Sequence, residues 1–63
     1  MKVNGITINY ITNYGMTKPY IVYRVVDGEN YFYGGYLTYE TATAIATKIG
    51  GEVVYNPEGK REG

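Results

Sequence analysis

Three kinds of side chain in this 63-residue sequence could do chemistry: six acids, six bases and nine tyrosines, with no His and no Cys beside them. A pair of carboxylates can serve as general acid and base, but Asp27, Glu29, Glu40, Glu52 and Glu58 are scattered among a turn, a helix start and strand ends. Asp27 is explained by the turn and Glu40 by the helix dipole. Without Cys there is no thiol nucleophile, disulfide framework or zinc knuckle, and without His no imidazole base or imidazole metal ligand. No glycine pattern matches a phosphate loop or a dinucleotide fingerprint, because Gly50-Gly51 follows a helix instead of opening one. The sequence thus predicts a protein that is not an enzyme and that holds neither cofactor nor metal.

What remains is the chemistry of contact. Tyr20, Val22, Arg24, Tyr31 and Tyr33 are expected to share one sheet face, and tyrosine offers a large, stiff contact surface with a hydroxyl handle. Arg24 among tyrosines adds the option of cation–π contacts. Three uses compete for this face: cross-strand aromatic pairs that only stabilise the sheet, a protein or dimer interface, and a base-stacking platform.

These residues must be held by elements that the sequence marks clearly in places. Tyr20–Val26 and residues 30–36 are rich in β-branched and aromatic types, and the Asp27-Gly28 pair between them is a strong hairpin signal, since a type I′ turn needs positive φ at both central residues. With a two-residue or four-residue loop, Ile21, Tyr23 and Val25 share a face with Phe32 and make the better core set. Tyr20, Val22, Arg24, Tyr31 and Tyr33 then fall on the opposite, open face. Gly34-Gly35 predicts a bulge or bend at the strand end.

Downstream, Thr38 suits a helix N-cap, Glu40 the first turn, Lys48 the last turn and Gly50 the left-handed position after it. Tyr39, Ala42, Ile45, Ala46 and Ile49 recur at helical spacing on one face. Upstream, residues 5–12 alternate Ile6, Ile8 and Tyr10 against Thr7, Asn9 and Ile11, the period of a strand. Residues 13–19 are broken by Gly15 and Pro19 and read as a loop. Glu52–Tyr55 reads as a short last strand whose pairing partner is left open.

The expectation is an α+β fold: one domain over residues 1–56, with about four mostly antiparallel strands in the order strand, strand, strand, helix, strand, and one helix on one face. Residues 58–63 carry no apolar residue, and residues 57–63 are expected to form a disordered tail. A domain near 60 residues buries only about 60% of its unfolded surface, which favours tight packing or self-association. The net charge of zero lacks the basic excess of a general nucleic-acid binder, and no apolar run reaches membrane-spanning length. A cytoplasmic location follows as the default.

From Tyr20 to Gly50, the hairpin followed by Tyr36-Leu37-Thr38-Tyr39-Glu40-Thr41-Ala42 resembles the sheet-then-helix module of AP2-type DNA-binding domains and the arm-binding domains of phage integrases. The resemblance implies a three-stranded sheet set against DNA; of the several arginines used there, Arg24 is the one matched. In size and tyrosine content the chain also looks like small open reading frames of bacteriophages and mobile elements, many of which bind and inhibit a host protein, including defence nucleases. The leading expectation is a small non-enzymatic module that binds a protein partner, or a second copy, through the Tyr-rich face or an edge strand. The alternative is a nucleic-acid-binding module.

Overall fold

The structure, a computed structural model, describes residues 1–59. Its centre is the hairpin of β3 (Tyr20–Val26) and β4 (Glu29–Tyr36), where β1 (Lys2–Val3), β2 (Ile6–Thr7) and a short helix α1 (Asn13–Met16) come before it. Asp27 and Gly28 take φ of 52° and 79°, which is the two-residue type I′ turn that the Asp-Gly pair demands. Arg24 therefore faces Tyr31 and Tyr23 faces Phe32, but Val22 faces Gly34. Tyr33 is the extra residue of a β-bulge. Gly35 matters for close approach: a Cβ there would lie 2.9 Å from the Lys18 side chain and 3.0 Å from the Gly15 carbonyl.

Helix α2 (Tyr39–Ile49) begins and ends where its caps predict. Thr38 Oγ1 accepts from the Thr41 N–H at 3.2 Å, and Gly50 adopts a left-handed φ of 70°. Alanine at position 38 leaves that amide without its cap, so Thr38→Ala is expected to lose about 1 kcal/mol and to melt about 4–8 °C lower. A thermal scan followed by circular dichroism checks it; an unchanged midpoint would show the cap to be idle.

The last strand, β5 (Glu52–Tyr55), pairs antiparallel with β3 from Tyr20↔Tyr55 to Tyr23↔Glu52. The sheet order is β4-β3-β5, with the apolar β3 in the middle.

The faces of this sheet are used differently from the sequence expectation. Helix α2 lies on the Val22 side, where Val22, Ala42 and Ala46 are buried together and Tyr20, Tyr36, Ile45, Ile49 and Val53 pack around them. The Ile21 side, expected to receive the helix, is covered by the N-terminal segment instead: Val3 and Ile8 are buried against Ile21, Tyr23 and Val54, with Ile6, Ile11, Met16 and Phe32 at the margin. The physical reason is that the chain has two apolar segments to place, so both faces are closed. A helix that presents alanines packs closest over a small side chain such as Val22. Val25, counted with the core by its alternation, is exposed: it stands two residues before the hairpin turn and belongs to neither packed cluster.

The N-terminal segment is accordingly not a fourth strand of the main sheet. Asn4 and Gly5, with φ of 50° and 87°, turn β1 back on β2 as a separate two-stranded sheet, and the Ile8 N–H donates to the Met1 carbonyl at 2.8 Å. Residues 13–19, read as a loop, contain α1. Thr12 caps it by accepting from the Gly15 N–H at 2.9 Å. Gly15 has no side chain because the Phe32 ring occupies that space, with Cε1 2.9 Å from where a Cβ would sit. The fold is thus α+β with five strands in two sheets and two helices among the described residues.

At the other end, Asn56 is 2% exposed and fastens β5 to the α1–β3 connection. Its Nδ2 donates to the Met16 and Lys18 carbonyls at 2.9 and 3.1 Å, and its Oδ1 accepts from the Glu58 N–H at 3.2 Å. Residues 57–59 continue from this anchor, with the Gly59 N–H donating to the Asn56 carbonyl at 3.0 Å. The remainder of the expected tail, residues 60–63, lies outside the described residues.

Candidate functional site

Length mismatch between the layers creates the surface of interest. The 11 residues of α2 rise about 16 Å, whereas the eight residues of β4 span about 26 Å. The hairpin therefore overshoots the helix, and side chains of the Val22 face beyond the overlap stay uncovered.

Among the five residues expected to form the site, the structure keeps Arg24 and Tyr31 together as direct cross-strand partners on this overhang. Arg24 is exposed and Tyr31 half-buried. Arg24 makes no ion pair among the described residues. Tyr33 is exposed but occupies the bulge, without a register partner on β3.

Tyr20 goes elsewhere. Four positions from Arg24 along β3, a distance of about 13 Å, it joins a tyrosine cluster at the start of α2. Its ring is edge-on to Tyr39 at 5.8 Å and tilted against Tyr55 at 5.6 Å. Tyr39 is 59% exposed, although its helical spacing groups it with the core. Val22, at 0% exposure beneath Ala42 and Ala46, presents no surface to a partner; its place on an open face is corrected by the helix that covers it.

Tyr10 is the addition that sequence reasoning missed. It is 82% exposed and its ring stacks on Tyr31, with centroids 5.8 Å apart and planes 16° from parallel. The position is set by Asn9, which forms a parallel bridge to Tyr31. Its N–H donates to the Asn30 carbonyl at 2.9 Å and its carbonyl accepts from the Phe32 N–H at 2.9 Å. The Asn9 side chain also donates to Glu29 Oε1 at 3.1 Å, and Asn30 Nδ2 donates to the Thr7 carbonyl at 2.9 Å. After this clamp the backbone turns at Tyr10 with φ of 68°, a conformation costly for an aromatic residue. The Asn4-Gly5 pair, the same turn signal as Asp27-Gly28, marks the turn between β1 and β2, whereas the strand read over residues 5–12 stops at Thr7 and continues as the isolated bridge at Asn9.

Two phenols are perturbed. Burial, then the nearby Glu52 carboxylate, raises Tyr23 above the usual phenol range; burial, then Tyr33, does the same for Tyr36. Both remain protonated donors near neutral pH.

Two clefts flank the helix. One of about 280 Å³ lies between α2 and β5 and is lined by residues of both, Tyr39, Thr43, Ala46, Thr47, Glu52 and Val53 among them. The other, of about 400 Å³, is bordered by Tyr14, Lys18, Tyr36 and Leu37, where the Lys18 ammonium sits 4.5 Å from the Tyr14 ring centroid. Neither brings two carboxylates together. No group of three or more potential metal ligands occurs among the described residues, and no described helix is long and apolar enough to cross a membrane.

No protein-family model matches the chain, and neither a curated protein nor a solved structure does.

Proposed function

We propose that this chain is a non-enzymatic protein-interaction module whose contact surface is the hairpin overhang formed by Arg24, Tyr31 and Tyr10. The observation that carries the reading is Tyr10. An aromatic residue held at positive φ and almost fully exposed costs stability, and its stack on Tyr31 builds a flat aromatic platform beside a cation. Tyr and Arg at such positions are the types that dominate binding hot spots. A partner fitted to this surface offers an aromatic or aliphatic patch for the stacked rings and a carboxylate for Arg24. Occupation of the partner's surface, with no bond made or broken, is the mode of action.

The test is capture from a cell lysate by immobilised wild-type protein and by Tyr10→Ala and Arg24→Ala variants that circular dichroism shows to be folded. Each truncation is expected to cost at least about 2 kcal/mol of affinity for the captured protein, or about thirtyfold. Equal capture by all three proteins removes the overhang as the contact surface. Titration with single-stranded DNA and RNA covers the alternative: an affinity that falls steeply with salt and depends on Arg24 would reassign the platform to base stacking.

A further inference from the structure

The two edges of the main sheet are treated differently. Along β4, Asn9 takes up the outward-facing Asn30 carbonyl and Phe32 N–H, and the Lys18 side chain lies close over Gly35. Along β5 no described segment does the same.

Which groups β5 leaves open follows from the ladder. The Asn56 N–H donates to the Pro19 carbonyl at 2.7 Å, which extends the Tyr20↔Tyr55 register by one position and identifies it as a hydrogen-bonded pair. In an antiparallel ladder such pairs alternate, so Ile21 with Val54 and Tyr23 with Glu52 are bonded pairs. The N–H and C=O groups of Val53 and Tyr55 consequently point away from β3, into solvent. The open stretch is bounded on both sides: the Gly51 N–H is already donated to the Ala46 carbonyl at 2.8 Å, and Pro57 has no N–H to give.

We infer that the β5 edge is a homodimer interface, at which a second copy of this chain adds its own β5 antiparallel, centred on Val54. In that register Val53 of each chain pairs with Tyr55 of the other, and every outward N–H and C=O of both residues is satisfied in four hydrogen bonds. A shift of two residues in either direction sets one of them against Gly51 or Pro57. The edge is thus complementary to itself in one register, which is what a two-fold interface requires.

Side chains agree with this pairing. The exposed Tyr55 comes beside Val53 of the second copy, an aromatic against a β-branched residue, and next to the 280 Å³ cleft that Val53 lines with Thr43. On pairing, the Tyr55 ring of the second copy swings off its own Tyr20, against which it is tilted at 5.6 Å, and enters this cleft. Thr43 Oγ1, which is buried there without a hydrogen-bond partner among the described residues, gains a phenol hydroxyl as neighbour. Glu52 falls opposite Asn56 and not opposite its own copy, and a net charge of zero sets no general repulsion against association. The product is a continuous six-stranded sheet. Its interface is separate from the Tyr10–Tyr31 platform, so the two readings stand or fall independently.

Light scattering and hydrogen exchange over a micromolar-to-millimolar dilution series test the inference. Wild-type protein is expected to dimerise with rising concentration while the Val53 and Tyr55 amides slow in exchange. Tyr55→Pro removes one outward N–H from each chain and is expected to be monomeric throughout. Tyr55→Lys keeps the amide but not the ring; it guards against misfolding of the proline variant and is expected to weaken the dimer about tenfold or more. Tyr10→Ala is expected to dimerise like wild type. A wild-type monomer at every concentration, a dimer that persists unchanged in the folded Tyr55 variants, or a dimer lost in Tyr10→Ala would overturn the inference.

Discussion

Replacement of Asn56 by alanine is expected to remove a large share of the fold's stability. The asparagine is almost fully buried, and its amide donates to two carbonyls, those of Met16 and Lys18, while its oxygen accepts from the Glu58 N–H. Alanine removes all three bonds at once and strands the partner groups in a partly buried site, at a cost of about 2–4 kcal/mol. A 63-residue domain has about 3–9 kcal/mol of total stability, so the loss is of the same order as the whole. Asn56→Asp separates the two roles. It retains the oxygen acceptor but turns a carboxylate toward two carbonyl oxygens, and it is expected to be at least as damaging at neutral pH. Urea titration followed by circular dichroism reads both variants; a loss under about 1 kcal/mol for alanine would mean that the three bonds are replaced by water at no cost.

The second large effect is expected from Ile8→Ala. Ile8 is fully buried between the N-terminal segment and the Ile21 face of the sheet, where Val3, Tyr23 and Val54 close around it. Removal of three carbons there is expected to cost about 2–5 kcal/mol, the upper part of the range applying if the surrounding rigid sheet cannot collapse into the space. Ile8→Val, which keeps most of the volume, is expected to cost about 1 kcal/mol. The same denaturation experiment distinguishes a three-layer molecule from one whose N-terminus merely rests on the sheet. If Ile8→Ala unfolds like wild type, residues 1–11 contribute no layer.

These two positions also show where sequence reasoning reaches its limit. The hairpin and the helix were legible because each is set by local backbone chemistry: Asp27-Gly28 supplies positive φ, Thr38 offers an oxygen to an unbonded amide, and Gly50 tolerates the left-handed turn. Alternation likewise showed which residues of β3 share a face, but not which face receives α2. Both faces carry apolar side chains, and the answer depends on a competition with Ile8, Ile11 and Met16 that no local pattern displays. Helix α1, at four residues, is too short to show a period. For the surface, the pairing of Arg24 with Tyr31 follows from the two-residue turn. The glycine pair signalled a bulge or bend at Gly34-Gly35, and it falls one residue earlier, at Tyr33; the burial of Val22 and the arrival of Tyr10 from a distant segment depend on tertiary contacts and were not readable.

The Asn9 bridge also imposes an order of events on folding. Asn9 reaches Glu29, 20 residues ahead, and Thr7 receives a hydrogen bond from Asn30, 23 residues ahead. Residues 7–9 are made before the strand against which they rest and are therefore among the last of the described residues able to settle. The β3–β4 hairpin closes a two-residue loop and can form within about 1–10 μs of release, and it is the natural nucleus for the rest. Until residues 1–11 fold back on it, Ile8 and Ile11 remain wet and the outer side of β4 stays open as a pairing template for any neighbouring chain. The interval between hairpin closure and docking of the N-terminus is the stage at which crowded synthesis would divert this protein into aggregates.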